Sequence, residues 1–536
     1  MKRRAFLKTA AAGTAVAIQS LGFHESCSSG SPQDPEQPTY YGLHPFIENN
    51  PGAVFILRTQ VAAKTDSAAK KQAGLAFGRS VYVKRSKGEA GAHPLETAVA
   101  LKPNIVCRES QDPRYTVEGT MGIVTDAAFV EGVIESIKAL GVGGDRVHIL
   151  EVSCPEDFDD SGYWGVAERT GAVLKDRSAP IGVIAESEIQ WVDVPSGIWF
   201  SRIPYLKPLN SPNSWLLNIS KFKTHYMGVT LCAKNLQGTI AKNYQEHCNS
   251  YGSGMSIDAA HIAPNADSVI LANYARHVAD GIPRWDKPGD SGGIWQETWA
   301  TRCLDNQSKA PAGLHVIEGI YGRDGHFIDG PSPDGLATDY LTNMVIFGKN
   351  QFNVDIIGHW LAGHEPGNFG LFHMAKERGF IAQFNPANVP LYEWQTTSQA
   401  AVTPLADFPR TLLKTAYLQR DYDGQTEPLW HLVNEPFNYA AAPLAARLEP
   451  RSRVWRYVRS DADRAVSAIE ITSPESDCVR LEISNARGQI VGVPLDGRIG
   501  RGTHLAAWSH AGHRPGTYRY ELRSGKFPSS GEFHVG

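Results

Sequence analysis

Thr125-Asp126-Ala127-Ala128-Phe129-Val130-Glu131-Gly132-Val133-Ile134-Glu135-Ser136-Ile137-Lys138-Ala139-Leu140 is the stretch on which the reading of the fold turns. Ala127, Val130, Val133, Ile134 and Ile137 recur at helical spacing, which predicts an amphipathic helix. Gly141-Val142-Gly143-Gly144 stops that helix, and Arg146-Val147-His148-Ile149-Leu150-Glu151-Val152 follows as an apolar strand. A helix that feeds straight back into a buried strand implies parallel pairing through a right-handed crossover.

The same alternation extends on both sides. Ala53 to Thr59 and Asn104 to Cys107 read as strands, as does Trp215-Leu216-Leu217-Asn218-Ile219, with Gly228 to Thr239 as the helix after it. Leu314 to Gly319 and Asn343 to Phe347 add strands, and Asn353 to Leu361 reads as a helix. The expectation is an α/β domain over residues 50–380, its sheet mostly parallel with flanking helices. Beyond Phe380 the pattern decays into a Pro- and Ala-rich connection, residues 381–464. From about Ala465 the period changes to two. Ile469 to Ile471, Val479 to Ile483, Gln489 to Val493, His504 to Trp508, Thr517 to Arg523 and Gly531 to Val535 predict a small all-β sandwich over residues 465–536, with Asn485-Ala486-Arg487-Gly488 as a turn.

The amino terminus carries a different signal. Arg3-Arg4-Ala5-Phe6-Leu7-Lys8, followed by a weakly apolar run rich in Ala, Gly and Thr, is the pattern of a twin-arginine export signal over residues 1–27. It implies the twin-arginine translocase as a partner, folding before export, and a periplasmic or extracellular destination. Cleavage after Ala17 and cleavage near Ser26 both fit. His24-Glu25-Ser26 before Cys27 is not the small apolar set that lipid attachment prefers, so a free product is expected over an anchored one. Residues 28–49 begin as a Ser-, Pro- and Gln-rich leader. No uninterrupted apolar run of about 18 residues elsewhere could span a bilayer.

With 42% hydrophobic and 20% charged residues among 536, the composition is that of an ordinary globular protein. A net charge of −4 gives no overall pull toward nucleic acid or anionic lipid, so any anion site must be local. Cys107, Cys154, Cys232, Cys248, Cys303 and Cys478 include no pair at C-x-x-C spacing, which argues against a zinc ribbon and against a ferredoxin-type cluster. Phosphate-cradling Gly-x-x-x-x-Gly-Lys loops and Gly-x-Ser-x-Gly elbows are also missing. His359, His364 and His373 lack the spacing of a shared helical face, the pair His247-Cys248 is weak, and the Asp324-Gly325 and Asp329-Gly330 turns lack the ligand spacing of a calcium loop.

Chemistry concentrates in Asn218-Ile219-Ser220-Lys221-Phe222-Lys223-Thr224-His225 and Cys232-Ala233-Lys234-Asn235-Leu236-Gln237-Gly238. On an extended chain Lys221 and Lys223 point to one side. At the carboxyl end of a buried strand, where ligands of open α/β sheets bind, they would form an electropositive pocket for a carboxylate or phosphate. Thr224, Lys234 and Asn235 would complete the ligand shell, with His225 as acid, base or metal ligand. Glu151 ends its own strand and could bring a carboxylate to the same rim. The structural alternative is a solvated strand end with snorkelling lysines.

The lysine-histidine segment and Lys234 to Gly238 resemble the core of the family of unknown function DUF362. So do Lys102-Pro103-Asn104-Ile105-Val106, the unit from Thr125 to Glu151, Glu318-Gly319-Ile320, and the Gly325 to Gly335 turn ending near Asp355. The resemblance implies an α/β domain with a ligand pocket and carries over no activity. Many members of that family add ferredoxin-like cysteine clusters, which this sequence lacks. Leu481-Glu482-Ile483, Asn485 to Gln489, Gly502-Thr503-His504 with Trp508, and Gly516 to Tyr520 resemble flagellar-hook-capping type immunoglobulin-like modules, which implies an accessory or attachment role.

Two functions follow as expectations. One is an exported enzyme whose basic pocket holds an anionic ligand or a metal-linked cofactor loaded before export. The other is a non-catalytic solute-binding or envelope scaffold protein displayed through its carboxyl-terminal module.

Overall fold

The computed structural model describes residues 39–105, 122–152, 155–175, 184–225, 228–241, 259–279, 293–323, 339–364, 366–382, 384–411, 413, 453–461, 466–473, 477–499, 502–524 and 529–535. The twin-arginine segment, Cys27, Val106, Cys107, Cys154, His247, Cys248 and the two Asp-Gly turns lie outside them.

A ten-stranded sheet organises residues 54–402. Its strands are β1 (Val54–Arg58), β2 (Ala98–Pro103), β3 (Val147–Ile149), β4 (Val173–Leu174), β5 (Ser214–His225), β6 (Gly228–Thr230), β7 (Gly313–Arg323), β8 (Asp339–Gly348), β9 (Leu391–Trp394) and β10 (Ala400–Val402). The spatial order is β10-β9-β1-β8-β7-β5-β2-β3-β4, with β6 folded back on the end of β5. From β7 to β4 every pairing is parallel, as is β9 with β1. β8 runs antiparallel between β7 and β1, so the sheet is mixed while its strands are mostly parallel, as expected.

β5 is buried from Trp215 onward, because a central parallel strand is covered on both faces. One face, with Leu101, Leu217, Ile219, Val345 and Phe347, packs on α1 (Ser67–Val81), α2 (Ala127–Lys138) and α3 (Tyr163–Thr170). The other, with Val54, Ile56, Ile317 and Ile346, packs on α4 (Cys232–Asn235), α5 (Ala266–Ala279), α6 (Gly293–Gln307), α7 (Gln351–Leu361) and α8 (Gly370–Glu377). α1 and α2 touch backbone to backbone. A Cβ at Gly74 would lie 2.0 Å from the Phe129 carbonyl oxygen, and one at Gly132 would lie 2.1 Å from that of Lys71.

Three expectations need correction. Asn104 and Ile105 follow a strand rather than form one, since the apolar run that pairs with β5 is Ala98–Pro103. Gly228 to Thr239 is not one helix: β-branched Val229 and Thr230 extend the hairpin from β5, and only Cys232–Asn235 is α-helical, followed by a 3-10 turn over Leu236–Thr239. Past Phe380 the chain does not simply decay. It returns as β9, whose Trp394 packs edge-on against Phe55 and Phe347, and a run of four residues is too short to stand out by period.

The carboxyl-terminal strands are β11 (Arg453–Asp461), β12 (Val466–Ser473), β13 (Asp477–Ser484), β14 (Ile490–Ile499), β15 (Gly502–Ser509), β16 (Gly516–Ser524) and β17 (Ser529–Val535). They form two antiparallel sheets, β11-β12-β15 and β14-β13-β16-β17. Ile469, Ile471 and Trp508 from the first share one core with Leu481, Ile483, Leu522 and Phe533 from the second. Asn485 builds the expected turn, its carboxamide oxygen accepting from Arg487 N and Gln489 N while Gly488 takes φ +75°.

Candidate functional site

After β2 the chain steps outward to β3 and β4, then returns across β2 to β5 and continues to β7. The carboxyl ends of β2 and β5 therefore flank the point at which strand order reverses, the usual place for a ligand in an open α/β sheet. Thr125 Oγ1 donates to the Ile219 carbonyl at 2.8 Å and accepts from Asn104 N at 2.9 Å, stitching the two strand ends together.

Two buried ionic networks lie on opposite faces of the sheet beside this stitch. On the α4 face, Lys102 Nζ meets Glu151 Oε2 at 2.6 Å and Asn235 Oδ1 at 3.0 Å. Asn104 Nδ2 donates to the same Asn235 oxygen at 3.1 Å, while Asn235 Nδ2 donates to Asn218 Oδ1 at 2.8 Å. Glu151 also accepts from Ile105 N and Val152 N, both at 2.9 Å. Burial pulls the Lys102 ammonium below its ordinary pKa, and Glu151 opposes that pull. Gly238 belongs to this packing, for a Cβ there would lie 1.9 Å from Glu151 Oε1. Nearby, Asp355 on α7 accepts from Cys232 N at 2.8 Å and Ala233 N at 2.9 Å, capping α4, and burial raises its carboxyl to about 7.

On the α2 face, Lys221 Nζ meets Glu318 Oε2 at 2.7 Å, and both side chains are fully buried. Glu318 accepts in addition from Asp126 N at 3.1 Å and Ile320 N at 3.0 Å. The Lys221 ammonium lies 3.5 Å from the centre of the Tyr321 ring, a cation–π contact. Tyr321 in turn donates its hydroxyl to Asp126 Oδ2 at 2.8 Å, and Lys70 Nζ donates to that oxygen at 2.6 Å. Asp126 Oδ1 is the N-cap of α2, accepting from Ala128 N and Phe129 N. Burial works against the Asp126 charge, but Lys70 and Lys221 hold its carboxyl below the usual range.

This second network forms the wall of a cavity of about 590 Å³. Lys70 and Lys71 of α1, Asp126 and Glu131 of α2, Arg169 of α3 and Tyr321 of β7 line it, together with the first turns of α1 and α2 at Ser67 and Ala127 and with Gly162 before α3. Helix amino termini carry partial positive charge, and Gly162 leaves α3 without a side-chain cap. Glu131 bridges the three helices. It accepts from Lys71 Nζ at 2.6 Å and from Arg169 at 3.0 Å (Nε) and 2.8 Å (Nη2). Arg169 above all, and then Lys71, hold its carboxyl below the usual range.

The residues singled out from the sequence are thus divided. Lys221 sits behind the cavity wall, one contact away through Tyr321. Glu151 and Asn235 join Lys102 on the other face instead of meeting Lys221, and Lys234 is half-buried on α4. Lys223, Thr224 and His225 are buried at the end of β5, Lys223 in register with Thr230 and Arg323, and His225 opposite Gly228. Between Lys221 and Lys223 the pairing with β7 jumps from Glu318 to Arg323, so the extra residues of this irregularity lie on β7. His315 is buried 3.2 Å from Asn218 Nδ2, and burial pushes its imidazole down to about 3. His359 stacks on Phe369 at 4.9 Å. Among the described residues, no group of three or more His, Cys, Asp or Glu side chains converges as a metal site would require, and no helix is long and apolar enough to cross a membrane.

Sequence reasoning missed Lys70, Lys71, Asp126, Glu131, Arg169 and Tyr321 as site residues. Two signals were available: Asp126 stands at the N-cap position of an apolar helix, and Glu131 interrupts the apolar face between Val130 and Val133. No curated protein matches the chain. Residues 99–359, which span β2 to α7 and carry both ionic networks apart from Lys70 and Lys71, match the model of the family described as "Domain of unknown function (DUF362)" and support that kinship.

Proposed function

We propose that this protein is an exported DUF362-like binding protein that captures a small oxyanion, a phosphate- or carboxylate-bearing solute, in the cavity between α1, α2 and α3. One observation carries the reading: Lys70, Lys71 and Arg169 converge, with Asp126, Glu131 and Asp160, on a cavity of about 590 Å³ that also meets the side-chain-uncapped amino terminus of α3. Arg169 and Lys71 retain 58% and 38% side-chain exposure, so they can turn to a ligand.

Capture is favoured over catalysis by the saturation of Asp126. Two amides, one ammonium and one phenol occupy its acceptor positions, leaving none for a substrate proton. An enzyme working through His225 and Glu151 would act outside this cavity, and metal analysis of the natively exported protein, with and without His225→Ala, tests that alternative. Arg3-Arg4 and the residues after it support export by the twin-arginine route. The paired antiparallel sheets of residues 453–535 support an immunoglobulin-like accessory or attachment module.

The test is calorimetric titration of the full chain with inorganic sulfate and phosphate at low and high ionic strength. Saturable binding is expected, weakened about tenfold or more in Arg169→Ala, since a hydrogen bond to a charged group contributes roughly 1.5–3 kcal/mol. Absence of saturable binding of both anions at low salt refutes the reading.

A further inference from the structure

We propose that Glu131 is an internal competitor for the anion: its carboxylate occupies the cationic clamp of Arg169 and Lys71 that an incoming oxyanion must take over. The inference rests on the anion-binding reading above and adds to it the step that sets affinity and selectivity.

The geometry is that of a ligand already in place. A guanidinium holds a carboxylate through two parallel N–H bonds in the same way whether that carboxylate belongs to a side chain or to a solute. Arg169 does this to Glu131 through Nε at 3.0 Å and Nη2 at 2.8 Å, while Lys71 closes on Oε1 at 2.6 Å. The three partners come from three helices and meet on the cavity wall. Exposure is unequal in the direction the idea needs. Glu131 has 5% of its side chain exposed and stays with the wall, whereas Arg169 and Lys71 reach solvent and can swing away.

Two other carboxylates, Asp126 and Asp160, line the cavity. Asp126 is fixed by its helix cap and by Lys70 and Tyr321. α1 and α2 are packed backbone to backbone beside the clamp, for a Cβ at Gly132, the residue next to Glu131, would lie 2.1 Å from the Lys71 carbonyl oxygen. An anion entering the cavity therefore competes with Glu131 for the charge of both cations, and takes the Nε–Nη2 edge of Arg169 only by detaching it from that carboxylate. Weak monoanions lose that exchange, and a dianion or a polycarboxylate, which offers each cation more charge than one carboxylate does, wins it. The class of ligand is accordingly a doubly charged oxyanion.

The experiment uses the full chain and inorganic sulfate, whose charge is constant over the working pH range, with acetate as the monoanion. Glu131→Gln keeps the shape and removes the competing charge. Sulfate should then bind about tenfold more tightly than to the unaltered protein, acetate binding should become detectable, and adding Arg169→Ala should abolish the gain. Should Glu131→Gln not fold, proton linkage in the unaltered chain serves instead. Sulfate that draws Arg169 and Lys71 away from Glu131 lets its pKa rise, so binding at mildly acidic pH should take up protons, seen as a dependence of the titration heat on buffer ionisation enthalpy. Sulfate binding that is unchanged or weaker in Glu131→Gln, or that takes up no protons, overturns the competitor role while leaving the anion site standing. Absence of sulfate and phosphate binding in every variant overturns both.

Discussion

Lys221→Met offers the most direct test of how the α2-face network is held. Lys221 and Glu318 are both at 0% side-chain exposure and 2.7 Å apart. Removing the ammonium leaves Glu318 in the interior with only the amides of Asp126 and Ile320 to answer its charge. Breaking a buried pair from one side costs about 3–5 kcal/mol, because the remaining charge is uncompensated, whereas replacing both partners by apolar or neutral groups is often close to neutral. Lys221→Met should therefore destabilise the α/β domain by about 3–5 kcal/mol, and Lys221→Met with Glu318→Gln should recover most of the loss. Since burial already lowers the Lys221 pKa against the support of Glu318, Glu318→Gln alone should be milder: the lysine can shed its proton and stay buried neutral. The assay is urea denaturation followed by tryptophan fluorescence. A Lys221→Met protein with the midpoint of the parent, or a double variant no better than the single one, would show that the two side chains are not a closed, dry pair.

Three shorter predictions follow from the same packing and a fourth from the amino-terminal sequence. Gly132→Ala should cost about 1–3 kcal/mol in the same denaturation assay, because its methyl group would strike the Lys71 carbonyl and push α1 from α2. Thr125→Val keeps the shape but removes both hydrogen bonds that tie Asn104 to Ile219, for a loss of about 1–3 kcal/mol and faster amide exchange at Asn104. Asp355 has its folded pKa raised from 3.8 to about 7 by burial, so its contribution to stability is fully present below the unfolded value and is lost as pH rises through the folded one. Melting temperature should accordingly fall between about pH 4 and pH 7, and Asp355→Asn should flatten that slope. Replacing Arg3 and Arg4 together by Lys should leave the precursor in the cytoplasmic fraction on immunoblots, and undiminished export would refute the twin-arginine assignment.

Much of the fold was legible because its signals are local and repeated. The α2 pattern needed only the spacing of Val130, Val133, Ile134 and Ile137. The strands β5, β7 and β8 announced themselves as apolar runs, although β8 pairs antiparallel, a fact set by β7 and β1 on either side and not by its own residues. β9 was missed because four residues carry no period. The site was less legible for a physical reason: a lysine reads as exposed from sequence alone, and only a distant carboxylate makes its burial tolerable. Glu318 lies 97 positions from Lys221, and Glu151 lies 49 from Lys102. The motif drew attention to the right strand end, but its amines face partners that no spacing argument could assign.

Thr125 bridges the strand ends at the switch point, and the cavity lies to one side of that bridge. Thr125 joins the ends of β2 and β5, and Tyr163 of α3 donates its hydroxyl to the Thr125 carbonyl at 2.9 Å, so the stitch also anchors the helix that carries Arg169. The Lys221–Glu318 pair fixes the next residue along, since Glu318 accepts from the Asp126 amide while Asp126 caps α2 and receives Lys70. Buried charge is a costly way to stabilise a fold, and an apolar pair in the place of Lys221 and Glu318 would serve stability as well or better. What the ionic arrangement adds is direction. It orients Asp126, and through it the first turn of α2 and the ammonium of Lys70, toward a single hollow whose other wall is the Arg169 clamp. Lys221 is thus better understood as part of the foundation that orients the walls of the proposed site than as its contact surface.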